Sequence, residues 1–273
     1  MHRVGRTVLI CHDDEPLNRY GLARWLATFT NLVGVVVIRE PNARFWKRVK
    51  REIKRVGLLR SLDVFLFKMY YRLFLAHADE EWQEARLRQL EALYGDLQHS
   101  IQMLETESPN SSETERFLKD IQPDIILARC KSILNNRIFT QARVGTFVMH
   151  PGICPEYRNA HGCFWALANR DTANVGMTLL KIDAGVDTGP VFGYYRYDYD
   201  EIAESHIVIQ NRMVLDNLDS LATKFSEIMA GTATMIDTQG RKSQEWGQPW
   251  LTKYLRWKRV AALRRRRDAH PIP

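Results

Sequence analysis

Histidine, cysteine, glutamate, arginine and asparagine crowd into residues 147–167, FVMHPGICPEYRNAHGCFWAL, where an apolar run ends at His150 and Pro151 and Gly152 follow at once. The carboxyl end of a strand is where open α/β sheets place their ligands. Groups capable of chemistry stand at three such places: His12, Asp13 and Asp14 after the first apolar run, His150 after a later one, and Asp187 in the turn DAGVDTG. Of these, His150 and Asp187 make the natural acid–base pair. Imidazole titrates at about 6.5 when unperturbed, and a neighbouring carboxylate raises that value or fixes the tautomer. The competing reading packs His150 at a strand end and makes Asp187 an Asx-type turn residue. Cys154 is a second nucleophile to weigh, and His161 suits the start of a helix. No serine sits between elbow glycines, and no His-Glu-x-x-His pair occurs.

These residues need strands to carry them. RTVLICHDDEPLNRYGLARWLATFTNLVGVVVIREP reads as strand, loop, helix, strand, and VGVVVI is apolar on both faces, as a buried parallel strand requires. No Gly-x-Gly-x-x-Gly follows the first strand, so the dinucleotide fingerprint is absent. PDIILARC, VGTFVM, VGMTLLKI and GPVFGYYRYDY read as further strands, with helices over HGCFWALANRD and from Ser112, in a Ser-x-x-Glu capping pattern, to Ile121. Ile207, Val214, Leu218, Leu221, Phe225 and Ile228 mark one long helix ending near Gly231. The fold class is therefore α/β, a mostly parallel sheet, with residues 42–107 as a helical insertion and 236–273 as a short basic helical tail. The α/β domain itself comprises 1–41 and 108–235.

At 273 residues the chain can bury a full core. Cys11, Cys130, Cys154 and Cys163 have no metal-finger spacing, so reduced thiols and no metal site are expected. No stretch is long and apolar enough to span a bilayer, and MHRVGRTVLICHDD turns acidic too early for a signal peptide. A cytoplasmic setting follows. The net charge of +7 is concentrated: residues 44–72 hold ten basic side chains against Glu52 and Asp63, and residues 253–267 hold eight and no acid. In RFWKRVKREIKRVG, Phe45, Val49, Ile53 and Val56 line one face opposite lysine and arginine. Such a helix covers a sheet, joins two copies as an oligomer, or seats a protein peripherally on an anionic membrane surface.

The segments PDIILARCKSIL, MHPGICPEYRNAHGCFWAL and VGMTLLKIDAGVDTGPVF, with His-Pro-x-x-x-Pro, Gly-x-Thr and Asp-x-Gly-x-Asp-x-Gly in that order, resemble the folate-dependent formyltransferase family, which includes glycinamide ribonucleotide transformylase and methionyl-tRNA formyltransferase. The likeness covers residues 120–230 well, the first forty by strand order, and the insertion not at all. It implies a Rossmann-like domain that takes 10-formyltetrahydrofolate as formyl donor and passes the formyl group to a small-molecule, sugar-linked or lipid-linked amine. The family's catalytic His and Asp fall on His150 and Asp187. Its pteridine-binding segments fall on Ser132, Ile133 and Leu134 and on the loop of Ile182, Asp183 and Val186, acting largely through backbone groups.

Two positions depart from the family pattern. The family Asn, which helps hold the developing oxyanion, falls on Val148, and loss of one such donor slows transfer by about 100- to 1000-fold, roughly 3–4 kcal/mol. Asn159 stands where the family has glycine after Tyr-Arg, a mild change because Asn tolerates positive φ. His150 in its protonated form, Asn159, Arg158 or a backbone N–H could replace the missing donor. The alternatives to transfer are hydrolysis of a formyl or acyl group and a non-catalytic folate-binding module. A tRNA acceptor is not expected, because about forty residues follow the long helix.

Overall fold

The computed structural model describes residues 4–41, 53, 57–97 and 100–269. Most of the basic face read at 44–56 lies outside the described residues, as do residues 270–273. A seven-stranded sheet organises the chain: β1 (Val4–His12), β2 (Thr30–Ile38), β3 (Gln102–Thr106), β4 (Ile125–Arg129), β5 (Gly145–His150), β7 (Met177–Lys181) and β8 (Val191–Tyr195), in the order β3-β2-β1-β4-β5-β7-β8, while β6 (Arg158–Asn159) pairs apart from it with β9 (Glu245–Trp246). The first five run parallel; β7 runs antiparallel to β5, and β8, antiparallel to β7, returns to the common direction. From β1 the chain builds outward to β3 and then returns to β4 on the other side. The carboxyl ends of β1 and β4 thus flank the switch point where such sheets bind ligands.

Alternation along each strand sends side chains to opposite faces. Leu9, Val35, Leu127, Phe147 and Met149 join the larger core with Trp25, Phe164 and Phe225. Ile10, Val36, Ile126 and Ala128 join the smaller core with Leu118, Ile121 and Ile138. The helices over these faces are α1 (Ala23–Phe29, entered through a π-helical turn at Leu17–Leu22), α2 (Leu58–Phe74), α3 (Ala76–Tyr94), α4 (Ser112–Ile121), α5 (Asn136–Phe139), α6 (Gly162–Ala168), α7 (His206–Leu215), α8 (Leu218–Ala230) and α9 (Leu251–Ala269). Phe67 of α2 and Leu90 of α3 are buried in the larger core, so these two helices cover the sheet's flank. Gly95 ends α3 with φ 69°.

Four expectations need correction. The helical reading of 42–107 fails at its end, where Gln102–Thr106 pairs parallel to β2 as an edge strand; its mostly exposed side chains leave no period to read. The long helix to Gly231 is two, α7 and α8, parted at Asp216 and Asn217. Asn217 turns its Nδ2 back to the Arg196 and Met213 carbonyls, while Asp216 pairs with Arg86 and Arg212. The cap of α4 is Ser111, one residue earlier than Ser112, its Oγ accepting the Thr114 N–H at 3.1 Å. Residues 236–250 do not trail away as a tail. Their place is over the site.

Candidate active site

His150 ends β5, opposite Thr178 of β7. Beyond it the chain folds back sharply, so that His150 Nε2 lies 2.7 Å from the Tyr157 carbonyl oxygen. A carbonyl only accepts, so Nε2 carries a proton and donates it there. Two glycines make this approach feasible. A Cβ on Gly152 would stand 2.5 Å from the Tyr157 oxygen and 2.8 Å from His150 Nε2, and one on Gly162 would stand 2.5 Å from the Gly152 Cα. Buried Thr178 fastens the same turn, its Oγ1 donating to the Gly152 carbonyl at 2.6 Å and accepting the Cys154 N–H at 3.0 Å.

The other ring nitrogen, Nδ1, faces Asp187 Oδ2 at 3.3 Å, with His150 buried. Asp187 has φ 51° and accepts the Asn159 N–H at 2.8 Å on the same oxygen. Asn159 adopts the positive φ its position demanded, 78°. Its neighbour Arg158 donates to the Val186 carbonyl at 2.7 Å, so Arg158 and Asn159 together pin the loop that bears Asp187. With Nε2 tethered, Nδ1 is the ring nitrogen turned to the carboxylate.

Val148 lies two residues before His150, on the same face of β5, opposite Leu180 of β7 and beside Ala128 of β4. It packs against a small apolar group of Cys154, Leu180 and Val191, with Tyr194 alongside. The replacement donors are largely occupied: Asn159 Nδ2 donates to the Trp246 carbonyl at 2.7 Å, and Arg158 Nε to Ser243 Oγ at 2.9 Å. Cys154 loses its claim as a nucleophile. It is buried, and burial, with Asp187 nearby, pushes its thiol far above the usual range. His161 has φ 55° at the start of α6, makes no side-chain capping bond, and packs its ring against His206.

Of the segments expected to receive a pterin, Leu134 lies in the smaller core and Ile182 packs against it. Ile133 exposes its side chain, while its carbonyl accepts Asn110 Nδ2 at 2.8 Å. Ser132 Oγ donates to Glu40 at 3.0 Å. Ile182 N–H is bonded to the Thr146 carbonyl at 2.7 Å, and Asp183 Oδ1 closes its own loop through Gly185 N–H and Thr188 Oγ1. At the switch point, His12 Nε2 accepts the Lys131 N–H at 3.0 Å, and burial lowers the ring's pKa, which keeps it neutral. Asp13 pairs with Arg19 and Arg39, and Lys131 with Asp14 and Glu15. Among the described residues, no cluster of His, Cys, Asp and Glu could hold a metal ion.

Sequence reasoning missed the segment that straps this loop from above. Arg241 grips Glu156 with two bonds of 2.9 and 2.7 Å, Gln244 pairs with Pro155 and Arg158 through backbone, and Trp246 Nε1 donates to the Glu156 carbonyl at 2.9 Å. Residues 158–159 and 245–246 form a two-residue parallel ladder. Trp246 stacks on Tyr157 and Trp165 at centroid distances of 5.5 and 4.9 Å. The only signal in the sequence was tryptophan at 246 and 250, too little to bring these residues to a loop some ninety positions earlier.

Residues 79–212 match the model of the formyl transferase family, beginning inside the stretch read as an insertion. A methionyl-tRNA formyltransferase of Thermotoga maritima is 26% identical over 132 residues, 46% of this chain and 42% of that protein. One from Dehalococcoides mccartyi is 32% identical over 97 residues, 35% and 31% respectively. The chain thus matches less than half the length of these curated relatives. Among solved structures, phosphoribosylglycinamide formyltransferase from Anaplasma phagocytophilum superposes with a TM-score of 0.53 at 13% identity, covering 89% of this chain and 99% of that one. A sugar N-formyltransferase from a Shewanella species gives 0.51 at 12%, covering 89% and 76%. At these identities the likeness is one of fold.

Proposed function

Since residues 79–212 match the model of the formyl transferase family, we propose that the chain transfers a formyl group from 10-formyltetrahydrofolate to the amine of a small-molecule, sugar-linked or lipid-linked acceptor, working in the cytoplasm. The observation that carries this reading is the buried His150–Asp187 pair at the end of β5, with Nδ1 turned to the carboxylate. The flanking segments suit a reduced folate: the exposed Ile133 side chain and the apolar Leu134 and Ile182 offer a flat ring something to lie against. When bound, that donor supplies the formyl carbon. Transfer makes a new N–C bond to the acceptor and breaks the N–C bond to the carrier. The acceptor amine gives up one proton and the carrier nitrogen gains one. His150 Nδ1 and Asp187 stand where that proton can be held between the two events.

The Tyr157 carbonyl has a direct part in this assignment. It fixes the proton on Nε2 and so leaves Nδ1 as the working nitrogen. The Nδ1–Asp187 contact, at 3.3 Å, is longer than the Nε2 tether, at 2.7 Å. It is therefore the one a reacting oxygen can enter, which would let protonated His150 replace the amide absent at Val148. The acceptor has its place at the switch point, beside His12, Asp13 and Lys131.

The test is purified protein with 10-formyltetrahydrofolate and a panel of amines, including nucleotide-linked amino sugars, beside His150→Ala. Formylated amine from the parent chain, with at least a 100-fold loss in the variant, is the expected result. Absence of reduced-folate binding together with no effect of His150→Ala would overturn it. Free formate as the product would instead assign hydrolysis, and formylation of methionyl-tRNA would displace the small acceptor.

A further inference from the structure

Helix α2, Leu58–Phe74, carries two apolar faces where a surface helix needs one. Val64 and Phe67 point inward and are buried, Phe67 against Phe164 and Tyr254. On the other side Leu59, Leu62, Phe65, Leu66, Met69 and Leu73 are exposed, Leu59 at 86% and Leu73 at 68%. At about 100° per residue these six fall within an arc of roughly 120°. A soluble surface rarely leaves so many large apolar side chains contiguous unless something covers them.

Charge says what covers them. Lys68 and Arg72, both exposed, border one edge of the arc. Along the other edge lies α9, held by Asp63 of α2 accepting the Thr252 N–H at 3.0 Å and by Tyr70 against Tyr254. The exposed residues of α9 include Leu255, Arg256, Arg259, Leu263 and Arg266. Asp63 is the one acid of α2 and is spent on that contact; Asp268 is the one acid of α9. An apolar stripe between two rows of cations complements a layer that is apolar inside and negatively charged at its surface. Among the described residues no helix is long and apolar enough to cross such a layer. The seam itself, from Leu59 to Leu73, spans only about two heptads, too short for a stable coiled coil with a second copy.

The geometry points to a docking surface for an anionic phospholipid bilayer, with the outer stripe of α2 lying in the boundary between headgroups and acyl chains and the arginines of α9 on the headgroup phosphates. This seat is independent of the reaction at His150. Flotation of the 273-residue chain with phosphatidylcholine vesicles, with and without phosphatidylglycerol, tests it. The chain should float with the anionic vesicles only, and less so as salt rises. Leu62→Gln/Phe65→Gln should lower the partition coefficient tenfold or more at any salt, and Arg256→Gln/Arg259→Gln by about tenfold at low salt, with a shallower salt dependence. No flotation, or equal flotation on both vesicles, overturns the assignment. So does a parent dimer that Leu62→Gln/Phe65→Gln converts to monomer without either form binding lipid, which would make the stripe a contact between copies.

Discussion

Val148 weighs chemistry against packing within a single side chain. An amide there would restore an oxyanion donor worth up to about 3–4 kcal/mol in the transition state. It would also push a polar group into the wall of Cys154, Leu180 and Val191, at about 1–3 kcal/mol of folding stability. The two effects are read by different measurements, so Val148→Asn should raise kcat tenfold or more while lowering Tm by several degrees. A fall in kcat would show that the apolar wall serves a different reaction. His150, Asp187 and Asn159 were legible in the sequence because each is a side chain with a distinctive demand: a strand-end imidazole, a carboxylate to orient it, and a residue that accepts positive φ. The Tyr157 carbonyl was not, since a backbone oxygen has no letter of its own. Gly152 and Gly162 were visible as glycines, but their contact was not.

Among the elements, the buried parallel strands β1, β2, β4 and β5 announced themselves because both of their faces need apolar side chains. The edge strand β3, QMLET, faces solvent over most of its length and has no such requirement. Nor could the break between α7 and α8 be read from spacing, because it depends on Asn217 reaching a carbonyl on a distant strand end. Helix α9 was foreseen as basic, yet one of its cations faces inward. Lys258 Nζ donates to the Glu201 and Glu204 carbonyls at 2.7 and 2.6 Å and lies 4.5 Å from the Trp257 ring centroid. Burial, against the pull of Asp200 and Glu201, brings its pKa down from 10.5 to about 8. With the folded value below the unfolded one, the unfolded chain binds more protons between them. Its contribution to stability is therefore full above 10.5 and is lost as pH falls to about 8. The urea midpoint should rise with pH across that window, and Lys258→Met should remove that part of the rise. An equal slope in both proteins would refute it.

For the whole molecule, the decisive finding is that residues 241–247 return to close over a loop formed near position 155, tying the chain beyond α8 to the turn that follows His150. Trp246→Ala removes the stack on Tyr157 and Trp165 and the bond to Glu156. It should cost about 3 kcal/mol of stability, open residues 154–159 to limited proteolysis, and lower kcat more than it raises KM. Unchanged kcat with the same loss of stability would mean that the strap supports the fold alone. The contact of Gly152 with Gly162 has a further meaning at this scale. It joins backbone to backbone at the neck of a compact Ω-shaped ring running from Ile153 to His161, with Tyr157 and Asn159 on the ring. The conformational freedom of that ring is surrendered when the chain folds, not when a ligand arrives. Any ligand that reaches His150 then meets an imidazole whose direction is already chosen, and little of its binding free energy is diverted to ordering the protein.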